Sequence, residues 1–154
     1  MTIELPTANI YWLLEIRELR NNDLRVVITE AMAAAETETL EIFGEVHRVE
    51  PGAASRAFEL SWYDYVSYAV RNERFFRKED SEVLGQPLRE RHDTAYLAYL
   101  KKVTFADDRY PGPGPLRHWS LYLAWHCIDV VSAELPEVRE LSAADLDQLR
   151  APID

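Results

Sequence analysis

Ala57-Phe58-Glu59-Leu60-Ser61-Trp62-Tyr63-Asp64-Tyr65-Val66-Ser67-Tyr68-Ala69-Val70-Arg71-Asn72-Glu73-Arg74-Phe75-Phe76 is the stretch on which the fold turns. Side chains of a strand alternate between its two faces, so Phe58, Leu60, Trp62, Val66, Tyr68 and Val70 share one face of an extended chain. Asp64 interrupts that face, and a bulge there would absorb the interruption. The rival reading is a helix with Ser61 as N-cap and Asp64 at the third position, a weak capping box. The valine and tyrosine content favours strands.

Toward the N-terminus, residues 10–19 and 24–32 are apolar segments joined by Asn21-Asn22-Asp23, residues that suit a turn because they bond local backbone and tolerate left-handed geometry. Leu24-Arg25-Val26-Val27-Ile28-Thr29 is β-branched and reads as a strand. Its partner is residues 10–19 in a hairpin, or that segment is a helix capped by Thr7; the hairpin is preferred. Residues 31–38, rich in alanine, read as a loop or a short helical turn. Leu40, Ile42, Gly44 and Val46 then alternate with polar neighbours as one half-buried strand, which Glu50-Pro51-Gly52 ends.

Toward the C-terminus, residues 77–87 read as a polar loop. Asp93 is the expected cap of a helix over 94–103, with Leu97, Leu100 and Val103 on its apolar edge. Residues 107–115 hold a Pro-Gly alternation that fits neither helix nor central strand. Residues 118–131 read as one long strand with a bend or bulge, its core face carrying Trp119, Leu121, Leu123, Trp125, Cys127 and Val131 beside Asp129. Residues 136–154 read as an acidic tail in which Ser142 caps a short helix with Asp145 in the box position. Several strands and one or two helices without βαβ alternation predict a single α+β domain over residues 1–154, with a mainly antiparallel sheet, curled or in a sandwich.

The 154 residues suffice for a core without covalent staples, and 47% apolar with 29% charged content is that of a globular chain. No apolar run reaches the roughly 20 residues needed to span a bilayer, and the N-terminus lacks the features of a signal peptide. Cys127 is the only cysteine, which fits a reducing compartment; the expectation is a soluble cytoplasmic protein. The net charge of −10 divides into −7 over residues 1–70, +2 over 71–117 and −5 over 118–154. Such a field favours a basic protein partner and disfavours nucleic acid and anionic membrane.

Phe58-Glu59-Leu60-Ser61-Trp62, then Tyr65, Val66, Tyr68, Val70, Arg71, Asn72 and Glu73, and later His126-Cys127-Ile128-Asp129-Val130-Val131-Ser132, resemble a pattern in a family of uncharacterised small bacterial proteins. The resemblance spans roughly residues 55–132, at the precision of pattern reading. It implies a small bacterial domain and brings no activity.

The candidate binding residues are Trp62, Tyr65, Tyr68, Arg71, Asn72, Glu73, His126 and Asp129. Arg71 could hold a carboxylate or phosphate and Glu73 a cationic group or a proton, at a pocket mouth near the two tyrosines. The competing reading, solvated charges at a strand end, is preferred, because such ion pairs are common without function. On a regular strand His126 and Asp129 face opposite sides, so only a bulge would pair them as a base and its orienting group. A core histidine and a turn-capping aspartate are the plainer reading. His118 and His126 would lie about 27 Å apart on a continuous strand, too far to share an ion, so no metal or cofactor is expected. Cys127 reads as a small buried hydrophobe. The basic and aromatic run from Arg71 to Lys78 is interleaved with acids, against nucleic acid binding. Two functions follow. The preferred one is an acidic interaction protein of immunity or inhibitor type, and the alternative is a small-molecule binder or enzyme with a pocket around Glu73 and His126. A homo-oligomer built through exposed aromatics is compatible with either.

Overall fold

The structure is a computed structural model that describes residues 4–7, 9–42, 44–75, 86–106 and 114–150. Expectations for residues 77–85 and 107–113 lie outside them. Strands β1 (Ile10–Glu18) and β2 (Leu24–Leu40) form the expected antiparallel hairpin, paired from Ile10 opposite Ala31 to Glu18 opposite Leu24 with a register shift between Leu13 and Glu15. Asn21 and Asn22 make its turn with φ of 77° and 59°, a conformation Asn reaches at low cost. The helical alternative for this segment is set aside.

Three features of the N-terminal half differ from expectation. Residues 31–38 are neither loop nor helix, because β2 continues through them to Leu40. Alanine is a poor strand former alone, but hydrogen bonding to a neighbour overrides propensity. That neighbour is β3 (Gly44–Glu50), which pairs with residues 32–40 of β2. Residues 40–47 are therefore not one strand. The chain reverses at Glu41 and Ile42, and Gly44 takes the left-handed φ of 70° that follows. Lastly, Asp64 marks no bulge within a strand. With φ 50° it turns the chain between β4 (Ala57–Trp62) and β5 (Ser67–Asn72), which belong to different sheets. The corner is tied to the first hairpin, where Asp64 N donates to Asp23 Oδ1 at 3.1 Å and Tyr65 N to Asn22 O at 3.2 Å.

The C-terminal half adds β6 (Leu88–Arg91), α1 (Ala95–Val103), β7 (Arg117–Tyr122), β8 (His126–Ser132), β9 (Glu137–Leu141) and α2 (Ala143–Arg150). The expected long strand over 118–131 is a hairpin of β7 and β8, reversed at residues 123–125 with Trp125 at φ 70°. The uninterrupted apolar run hid the turn, because no Gly, Pro, Asn or Asp marks it. Thr94 rather than Asp93 caps α1, its Oγ1 accepting from Leu97 N at 3.1 Å, while Asp93 stands one residue earlier at φ 53°. Residues 136–154 are more than a tail: Glu137–Leu141 is an edge strand, and charges are common on such edges. Ser142 and Asp145 close the expected capping box on α2, with Ser142 N to Asp145 Oδ2 at 2.8 Å and Asp145 N to Ser142 Oγ at 3.2 Å.

The result is the expected α+β fold with antiparallel sheets, here two of them face to face. One runs β1-β2-β4-β9, with β3 on the far part of β2, and the other β5-β8-β7-β6. Tyr11, Leu24, Val26, Ile28, Phe58, Leu60 and Trp62 of the first sheet meet Trp119, Leu121, Ile128 and Val130 of the second in one core. Leu146 and Leu149 of α2 pack on Val27, Ala57 and Leu141 across the outer face of the first sheet. Ala124 N donates to Tyr11 O at 2.8 Å, so the β7–β8 tip also joins the two sheets along one side.

Candidate functional site

The β7–β8 hairpin changes which side chains share a face. Trp119 and Leu121 point into the core, but after the reversal so do Ile128 and Val130. Asp129 stands opposite Ser120, and His118 opposite Val131, so Asp129 joins His118 and Ser120 on the outer face of the second sheet. On the other side of β8, Arg71 of β5 stands opposite Cys127.

These residues form a buried polar network. Asp129 Oδ2 accepts from Arg71 Nε at 2.8 Å, and its Oδ1 accepts from Ser120 Oγ at 2.7 Å and lies 2.8 Å from His118 Nε2. His118 Nδ1 lies 2.7 Å from Thr94 Oγ1, the hydroxyl that caps α1. That hydroxyl already accepts from Leu97 N–H, so donating its own proton to Nδ1 leaves the imidazole proton on Nε2, aimed at Asp129. The tautomer is thus assigned by the network. Tyr96 lays its ring edge-on to His118, centroids 5.4 Å apart, and its hydroxyl is 2.9 Å from Ser67 Oγ. Burial pushes the Tyr96 hydroxyl pKa up. Arg71 Nη2 is 3.2 Å from Cys127 Sγ.

Asp129 is 5% exposed and Ser120 fully buried. Burial alone would raise the Asp129 pKa, but hydrogen bonds from His118, Arg71 and Ser120 outweigh it and hold the carboxyl at about 2. The three side-chain types of a nucleophilic triad are present in the wrong order. Ser120 donates to the carboxylate rather than to the imidazole, whose second nitrogen is taken by Thr94. The arrangement neutralises a buried carboxylate, fixes the Arg71 guanidinium and pins the first turn of α1 to the sheet.

The eight residues singled out from the sequence fall in three places. Arg71 and Asp129 come together as an ion pair. Trp62 is wholly buried in the core, against which Tyr65 and Tyr68 pack with their rings meeting edge-on at 5.6 Å. Tyr65 Oη donates to Glu18 at 3.0 Å, and burial with that carboxylate pushes its pKa up to about 12. Asn72, Glu73 and His126 gather at the end of β5 and β8, where Asn72 pairs with His126. His126 and Asp129 lie on opposite faces of β8, three residues apart without a bulge between them. His118, Ser120, Thr94 and Tyr96 were missed as site residues. The signal that would have found them is the turn at 123–125, which sets the parity of the whole β8 strand.

At this sheet end Glu73 clamps the hairpin tip, its Oε2 accepting from Trp125 N at 2.7 Å and its own N donating to Trp125 O at 3.0 Å. The clamp holds a bulky residue in left-handed backbone, with the indole 60% exposed. Trp125→Gly is therefore expected to leave unfolding free energy within about 1 kcal/mol of the parent in urea titration, since strain relief offsets the entropy glycine adds to the unfolded chain.

Among the described residues no three His, Cys, Asp or Glu side chains converge to hold a metal ion, and no helix is long and apolar enough to cross a membrane. Comparison with protein-family models, with curated proteins and with solved structures yields no match to this chain.

Proposed function

We propose that the protein is an interaction protein of immunity or inhibitor type that engages a basic protein through the β2–β3 ribbon. The observation that carries this reading is the pairing of residues 32–50. Beyond Ala31, β2 leaves β1 and β4 and pairs with β3 alone. A two-stranded ribbon is marginally stable without a further layer. This one holds Glu36, Glu38, Glu41, Glu45 and Glu50 against a single Arg48, and leaves Met32 and Ile42 exposed. Carboxylates of one sign on a slender element steer a basic partner, and exposed apolar groups give it something to bury.

The root of the ribbon is fastened for that role. Arg56 reaches Glu30 with Nη2 to Oε1 at 2.6 Å and its backbone N to Oε2 at 3.2 Å, and Asn9 Nδ2 donates to Oε1 at 2.6 Å. The hydrogen bond from Arg56 is the main reason the Glu30 carboxyl sits below its ordinary pKa. A ribbon rooted rigidly loses less entropy on docking than a free loop. The alternative, a small-molecule pocket around Glu73, has less support, since that carboxylate is occupied by the Trp125 backbone.

Affinity capture with the protein, and with a variant carrying Glu36→Gln, Glu38→Gln, Glu41→Gln and Glu45→Gln, tests the reading. The parent is expected to retain one basic protein near stoichiometrically at low salt and to release it at high salt, and the variant to retain at least tenfold less. Equal retention by both chains, or retention indifferent to salt, would sink it.

A further inference from the structure

We infer that β5 pairs with the β5 of a second copy of this chain, antiparallel about a two-fold axis at Ala69, so that the second sheets of the two copies become one continuous sheet. β5 is the end strand of its sheet, with β8 on one side and, among the described residues, no strand on the other. An open strand edge is a row of unanswered N–H and C=O groups, and it pairs with another chain unless something blunts it.

Every other open edge among the described strands is blunted. β1 is crossed at one end by Ala124, shifts register between Leu13 and Glu15, and continues through Glu15, Arg17 and Glu18. β6 is Leu88-Arg89-Glu90-Arg91, and β9 carries Glu137, Arg139 and Glu140. The β2–β3 ribbon is acidic and shifts register between Ala33 and Thr37. β5 alone sets an uncharged run, Ser67-Tyr68-Ala69-Val70, in unbroken register against its neighbour.

The register follows from the ladder. Glu73 N donates to Trp125 O, and backbone directions alternate along a strand, so the N–H groups of Arg71 and Ala69 also face β8. Tyr68, Val70 and Asn72 then turn their N–H and C=O groups outward. Pairing about Ala69 sets Tyr68 of one copy against Val70 of the other, each pair exchanging both backbone bonds, and brings the two small Ala69 side chains together at the axis. It also brings the Arg74 end of one strand to the Asp64 end of the other. Asp64 and Arg74 are both exposed, and neither side chain has a charged partner among the described residues. The same opposite-charge match recurs at each end of the pair, which is what selects a second copy as the occupant. Apolar groups border the edge: Val70 is 46% exposed, Phe75 just beyond it 80%, and Trp125 stands on the tip that Glu73 clamps. The edge runs into residues 71–117, whose charge is +2, so a chain of −10 repels its copy least there.

Sedimentation velocity of the full chain from about 1 to about 100 µM tests the inference, and a reversible dimer is expected. Val70→Pro removes an outward N–H and leaves the β5–β8 bonds in place, and is expected to weaken dimerisation about tenfold or more. Arg74→Glu is expected to weaken it by a similar factor, and Arg74→Glu combined with Asp64→Lys to restore it, a rescue that damage to the fold would not give. Near-UV circular dichroism reports whether each variant keeps its core, and if Val70→Pro does not, the charge swap decides alone. The four-glutamine ribbon variant is expected to dimerise as the parent does. A parent that is monomeric at every concentration, a dimer indifferent to Val70→Pro or to Arg74→Glu, no rescue by the charge swap, or loss of the dimer in the ribbon variant would overturn it.

Discussion

Asp129→Ala is expected to lower the unfolding free energy by about 3–5 kcal/mol, the range seen when one member of a buried ionic group is removed. The cost has a stated origin. Without the carboxylate, Arg71 Nε, Ser120 Oγ and His118 Nε2 lose their shared acceptor, on a face where His118 is 3% exposed and Ser120 not at all. A change below about 1 kcal/mol by urea titration would mean that water or a neighbour satisfies those donors, and the network would lose its structural role. The parent should show the same dependence as acid sensitivity. The folded carboxyl titrates at about 2 against an ordinary 3.8, so near pH 3 the unfolded chain binds more protons than the folded one. The contribution, about 2 kcal/mol, is whole above the ordinary carboxyl pKa and is lost as pH falls through the folded value. Asp129→Ala should therefore show a flatter stability curve than the parent between pH 4 and pH 2.

Trp62→Ala is the second large effect, with an expected loss of about 3–5 kcal/mol. Trp62 is fully buried between the sheets, and its Nε1 has no hydrogen-bond partner among the described residues, so its contribution is packing. Trp62→Phe keeps most of that volume and removes the unpaired donor, and should cost far less. Equilibrium denaturation of the two variants separates the cases. Equal losses would assign the indole N–H a role that the packing account denies it.

Much of the fold was legible because its signals are local. The Asn21-Asn22 turn, the alternation from Phe58 to Trp62, and the Ser142/Asp145 box each sit within a few residues of what they specify. The failures share a cause, which is dependence on a pairing that the segment's own residues do not announce. Residues 31–38 are strand only because β3 pairs with them, and Glu137–Leu141 only because β4 offers an open edge. The candidate site suffered most. A single unmarked reversal at 123–125 moved Asp129 from the core face to the outer face, where it meets His118 instead of the His126 that only a bulge could have brought to it. Arg71 survived the error because its pairing with Asp129 runs through β5, whose alternation was read correctly.

The place of β9 also governs the order in which the chain can assemble. Residues 57–62 find their second neighbour in residues 137–141, about eighty positions later, so the first sheet stays open along β4 until those residues have been made. Until then the apolar residues Val27 and Ala57 wait for the helix that covers them. A nascent chain of this design carries an exposed strand edge beside an uncovered apolar face until residues 137–150 have been made. Closing that long loop slows completion of the first sheet, and residues 137–150 decide whether it is completed or pairs with another chain.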